Sequence, residues 1–196
     1  MRRDLISSVL AIIAITVVLG LVYPLVVTGV AQVVFPGRAD GSKIERNGQL
    51  VGSRLIAQDF KGDPRYFQSR PSTSTGYNPA VTAFTNLGPN SKDARDQFAK
   101  NLAAYLEREK PFDPRLTAHD VPVDAVTSSA SGVDPHISTA NAAIQARRVA
   151  AARHLPLAQV DQLIADHTDG RSLGVLGEPG VNVLELNLAL DNLAAR

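Results

Sequence analysis

The residues with the most chemistry per unit length are Ser131, Asp134 and His136, packed into the string SASGVDPH. A serine nucleophile needs a histidine base and an orienting carboxylate, but such triads are assembled in space from separate elements, and the strand-turn-helix motif G-x-S-x-G is absent. Asp134-Pro135 reads more simply as a turn ahead of a helix. The four histidines, His119, His136, His154 and His167, show neither H-x-x-x-H nor H-E-x-x-H spacing, so no metal site is expected. His167, on an apolar helix face, reads as a hydrogen-bonded core histidine. The glycine-rich string GVLGEPG, Gly174 to Gly180, lacks the lysine of a phosphate loop and is ordinary turn chemistry. With no cysteine in the chain, disulfides, zinc thiolates and thiol nucleophiles are excluded. No catalytic residue is expected.

Leu5 to Phe35 runs without a charged side chain. A single segment in lipid must satisfy its own backbone, which only a helix does. The run exceeds the roughly 30 Å hydrocarbon core and is too long for the apolar core of a cleaved signal peptide. It is read as a retained transmembrane helix spanning about Leu5 to Val26, with Tyr23 in the headgroup zone, Pro24 marking a kink, and the remainder to Phe35 rising above the membrane. Residues 1–35 form this tail and anchor, and 36–196 one soluble domain. Setting aside Arg2, Arg3 and Asp4, the chain's 20 Lys plus Arg and 19 Asp plus Glu leave 18 of each in that domain. A neutral domain gives no support to nucleic-acid binding. Arg2 and Arg3 precede the helix, but Arg38, Lys43 and Arg46 follow it, so charge counting alone does not orient the span; translocation of a long following domain favours an external one.

The domain is expected to be of the α+β class, a small mixed α/β fold. Asn47-Gly48 between strand-like pieces signals a hairpin whose second strand continues towards Phe60. Asn90 or Ser91 caps a helix with Ala94, Phe98, Leu102 and Tyr105 on one face, ended by Pro111; Ser138 caps an alanine-rich helix to about Arg153; another follows Pro156. The string Val181-Asn182-Val183-Leu184-Glu185 alternates like a strand, but Asn182 with Glu185 resembles a capping box with Val181 and Leu186 as its staple, which predicts a final helix from Val183 to about Leu193. From Gln68 to Ser91 the chain is rich in Gly, Pro, Ser, Thr and Asn, and Arg70 is its one charge. Tyr77 and Phe84 within this stretch, and Tyr66 and Phe67 just before it, predict an ordered, uncharged contact surface. These residues, with Arg70, Tyr23 and Pro24, are the expected partner contacts. On these grounds the chain is an anchored, non-catalytic domain, with a tethered binding module and an anchored hydrolase as competing classes.

The ordered strings YPLVVTG, FPGRADGS, VGSRLIAQDF, YFQSRPS, GYNPA, NLGPNS, VPVDAVTSSASGVDPHIS, HTDGR and LGEPGVNVLELNLALD are more specific. Together they resemble the C subunits of bacterial Kdp potassium-transporting ATPases over nearly the whole chain. The resemblance implies a single-pass subunit of the inner (plasma) membrane, with a cytoplasmic N-terminus and a periplasmic or external domain. It implies two partners besides the bilayer: a channel-like potassium-selecting subunit and a P-type ATPase subunit that hydrolyses ATP. The family's C subunit is described as a catalytic chaperone that raises the ATP affinity of the ATPase subunit. Its serine- and glycine-rich segment, tied to that idea, falls here on Ser128, Ser129, Ser131 and Gly132, with Ala130 where glycine is common. No firmly bound cofactor is implied, and ATP enters only through the complex. An external domain lies on the side where ATP is scarce, so the alternative implied role is to cap the external mouth of the selecting subunit and support assembly.

Overall fold

A computed structural model describes residues 1–72, 78, 81–82 and 85–194. Tyr77 and Phe84 lie outside the described residues. The chain divides into two compact units, Met1–Ser53 and Arg54–Arg196.

In the first unit, helix α1 runs unbroken from Arg2 to Val34 and buries none of its apolar surface within the chain. The helix is long and apolar enough to cross a membrane: 33 residues at 1.5 Å each give about 50 Å, well beyond a bilayer core. The irregularity expected at Pro24 takes the form of a π-helical turn, Val18–Val22, in which the Tyr23 amide donates to the Val18 carbonyl. Pro24 has no amide to donate and its ring crowds the preceding turn, so the backbone takes up the extra residue there and continues as Tyr23–Val34. A one-turn helix α2, Pro36–Ala39, leads to strands β1, Lys43–Arg46, and β2, Gln49–Ser53. They pair antiparallel with Arg46 opposite Gln49. Asn47 and Gly48 both take positive φ, 52° and 74°, the type I′ turn that asparagine and glycine suit. The second strand ends at Ser53 rather than running on towards Phe60.

The second unit is α+β, as expected. Helix α3, Lys92–Glu109, starts at Ser91, whose Oγ accepts the Ala94 amide. Strand β3, His136–Ser138, leads into α4, Thr139–Arg153, where the Ser138 hydroxyl accepts the Asn141 amide. Helix α5, Leu157–Asp166, strand β4, Thr168–Asp169, strand β5, Gly180–Asn182, and helix α6, Val183–Ala194, complete the chain. The sheet order is β3-β5-β4, all antiparallel, with Ile137 and Thr168 flanking Val181. The strand set aside for Val181 is present alongside the expected helix. Three residues are strand, and the Asn182 Oδ1 then accepts the Glu185 amide to start the helix. The Glu185 carboxylate, needed for the other half of a capping box, pairs instead with Arg54 at 3.0 Å.

The core lies among α4, α5, α6 and the sheet. Alanines 142, 146 and 150 let α4 approach closely, while Val160 and Ile164 of α5 and Leu186 and Leu190 of α6 fill the space between. Running into this core is the segment Pro64–Gln68, a turn at Pro64 and Arg65 followed by irregular chain outside any strand, so side chains satisfy much of its backbone. Asn187 brackets Phe67, accepting its N–H and donating to its carbonyl, both at 2.9 Å. Gln145 does the same for Gln68, at 2.8 and 3.1 Å. Arg148, almost wholly buried, donates to the carbonyls of Pro64 and Tyr66 and forms an ion pair with the equally buried Glu109. Burial favours loss of the Arg148 proton, and the adjoining Glu109 charge opposes that.

Candidate functional site

The serine-rich segment joins the one-turn 3₁₀ helix Val123–Ala125 to β3. Its two ends are tied by Asp124, whose carboxylate accepts the Ser138 amide and hydroxyl and the Asn141 side-chain amide. Arg70 ties the middle. Its guanidinium pairs with Asp134 at 3.0 Å and donates to the Ser128 carbonyl at 3.2 Å. Ser72 adds a bond from its hydroxyl to the Gly132 carbonyl, and the Val133 carbonyl accepts the Ala57 amide.

At the tip the turn closes on itself. The Gly132 amide donates to Ser129 Oγ at 2.9 Å, the Val133 amide to Ser131 Oγ at 3.2 Å, and the two hydroxyl oxygens lie 3.3 Å apart. Gly132 takes φ 71°, which permits the tight reversal. A phosphate-binding loop works by offering successive free backbone amides to the anion. Here serine hydroxyls already occupy two of them.

Ser128 and Ser129 also line a groove of about 860 Å³ between this segment, the start of α3 and the chain on either side of the undescribed stretch, with Pro71, Leu87 and Phe98 on its walls. Among the described residues its one charged lining residue is Asp93, which repels rather than holds phosphate.

The three residues with triad chemistry do not form a triad. Ser131 is spent on the Val133 amide, Asp134 accepts the His136 amide and pairs with Arg70, and His136 turns its Nε2 to Asp169 at 3.1 Å. Gly180 makes room for this; a Cβ there would lie 3.3 Å from that of His136. Asp169 also receives Arg54, which reaches Glu185, so one run of charges links β4, β3 and the start of α6. The Asn182 side-chain amide also donates to the Arg54 carbonyl at 2.9 Å. His167 meets its expectation in part: Nδ1 lies 2.9 Å from the Leu163 carbonyl, but the residue is half-buried at the edge of the core and not within it. Among the described residues no three His, Asp or Glu side chains are placed to hold a metal.

The expected partner contacts separate. Tyr23 is exposed on α1, as is Pro24. Phe67 has no exposed area and is a core residue, which corrects its reading as a contact: the pattern of aromatics beside a polar loop cannot distinguish a side chain that seals the core from one that leaves it. Tyr66 is half-buried, its hydroxyl donating to Asp191 at 3.2 Å with Arg153 over its ring. Arg70 faces inward as the clamp just described. That role had a signal in the sequence, because a lone cation in a long uncharged stretch calls for a specific anion. Asp124 and Asp169 carried no such signal.

With this geometry in hand, comparison with known proteins is specific. The family model for the K+-transporting ATPase C chain, KdpC, matches residues 5–192. A potassium-transporting ATPase KdpC subunit of Koribacter versatilis is 48% identical over 97% of this chain and 95% of its own length. Those of Mycobacterium tuberculosis and Bradyrhizobium diazoefficiens are 48% and 44% identical, covering 98% and 100% of this chain and 100% of their own lengths. The family match and these full-length relatives lead to one conclusion: the chain belongs to the KdpC family of potassium-transporting ATPase subunits.

Proposed function

We propose that this chain is a non-catalytic subunit of a high-affinity, ATP-driven potassium uptake complex that acts through protein contact and not by holding nucleotide. Helix α1 crosses the inner membrane once from a cytoplasmic N-terminus, and the soluble domain lies outside, by the entrance of the potassium-selecting subunit. The observation that carries this reading is the self-closed serine turn. Its Gly132 and Val133 amides are engaged by Ser129 and Ser131, and the adjoining groove holds Asp93 where a nucleotide site would need a cation. A chaperone that raises ATP affinity by direct contact with ATP would need both reversed.

Two measurements test the reading together. The chain has no cysteine, so Ala118→Cys, in an exposed loop, gives a single thiol. An impermeant maleimide should label it in intact cells, and labelling only after permeabilisation would place the domain in the cytoplasm and revive direct ATP contact. A tagged chain should also copurify with a multi-span ATPase from mild detergent; recovery of the chain alone would remove the subunit assignment.

A further inference from the structure

The loop from Arg171 to Glu178 joins β4 to β5 and is built as a second hairpin. Ser172 and Leu176 exchange two backbone hydrogen bonds at 2.8 and 2.9 Å, and the amides of Gly174 and Val175 donate back into the turn. At the base Arg171 pairs with Glu178 at 2.7 Å. The tip takes φ 55° at Leu173 and 78° at Gly174, nearly the angles of Asn47 and Gly48 in the first hairpin. Both tips thus open on two left-handed residues, although the second closes over three residues, Leu173 to Val175, and the first over two; the first uses an asparagine, which tolerates that backbone, and the second a leucine, which does not.

That leucine is also 90% exposed, beside Val175 at 72% and Leu176 at 58%. Leu173 thus carries backbone strain and an apolar side chain in water together, and little within the chain covers it. A strained residue held by its surroundings, at the centre of an exposed apolar cluster, is the mark of a contact made elsewhere.

We infer that Leu173, Val175 and Leu176 form a preshaped knob that seats in an uncharged apolar socket on another subunit of the transporter. The inference rests on the reading of this chain as an assembled subunit. The exposed aliphatic area is on the order of a few hundred Å², far short of the roughly 1,200 Å² of a specific stable interface, so it does not join two copies of the chain unaided. It adds to an association that other parts of the chain supply, where even a weak second contact counts. A bilayer surface is the poorer occupant. Lipid accepts any loop shape and gives no reason for a strained turn. Segments at the interface also carry aromatics and unneutralised cations, whereas this loop has no aromatic and its one cation is paired.

The test uses the whole complex in membranes, with photoreactive benzoylphenylalanine at position 173 and, as control, at position 118. Light should join position 173, and not 118, to an identified subunit of the transporter. Adducts with lipid alone, with a second copy, or with nothing in an intact complex would overturn the inference. In parallel, Leu173→Asn suits the turn and so keeps the fold, and it should weaken retention of the chain on the purified complex at least tenfold. If wild-type chain copurifies and Leu173→Asn is retained equally, the knob is refuted while the subunit reading stands; if wild type itself does not copurify, that reading fails first.

Discussion

Replacing Arg148 with methionine tests how the domain is held together, because one guanidinium serves four residues. Its Nε lies 3.1 and 3.0 Å from the two Glu109 oxygens, Nη1 meets the Pro64 and Tyr66 carbonyls at 2.6 and 3.0 Å, and Nη2 meets Gln145 at 2.9 Å. Removing one partner of a buried pair costs about 3–5 kcal/mol. The low end applies here, since Arg108 remains 2.7 Å from Glu109. The Tyr66 carbonyl keeps a donor in Gln68, but Pro64 loses the guanidinium, adding about 1–3 kcal/mol. A loss of about 4–6 kcal/mol is comparable with the whole stability of many domains. Urea unfolding of the full chain in mild detergent, followed by circular dichroism, measures it. The same reasoning makes Arg148→Met with Glu109→Leu more stable than Arg148→Met alone, because the stranded carboxylate is gone. A single-variant loss below about 1 kcal/mol, or a double variant no better than the single, would refute this account of the core.

Three further outcomes are expected. Hydrogen bonds from Arg65, side chain first and then backbone amide, hold the Asp63 carboxyl down at about 2 against an ordinary 3.8; stability from this group is present above pH ~4 and is lost as the pH falls from ~4 towards 2, and Asp63→Asn should flatten that limb of an acid titration. Burial, reinforced by Glu109, pushes the Tyr105 phenol well above its ordinary value; the neutral phenol is favoured in the fold, so stability falls once the pH passes ~10, where the unfolded tyrosine ionises, and Tyr105→Phe should remove this alkaline loss in the same unfolding assay. Asp124→Ala removes acceptors from Ser138 and Asn141 at the start of α4, and should cost about 1–3 kcal/mol in urea unfolding.

Much of the fold was legible because local chemistry and tertiary structure agree. Ser91, Ser138 and Asn182 each start a helix with the side-chain bond their type suggests. Asn47-Gly48 makes the turn its dihedrals favour, and the charge-free run is an unbroken helix. What was not legible depends on contacts distant in sequence. The second strand stops at Ser53, and Arg54 is instead bonded to Asn182, Asp169 and Glu185, all more than 100 residues away. Phe67 sits in the core with its own backbone satisfied by Asn187 and that of Gln68 by Gln145, 120 and 77 residues away. The serine segment was recognisable as a site by resemblance, but its closure by Ser129, Ser131 and Arg70 needs the three-dimensional turn.

The central claim, that this subunit works without holding nucleotide, meets its most direct test in calorimetric titration of the full-length, detergent-solubilised chain with ATP. The account predicts no saturable heat up to millimolar ATP. Saturable one-site binding, weakened at least tenfold by Ser129→Ala or Ser131→Ala, would contradict it and return the serine turn to the role of a nucleotide site.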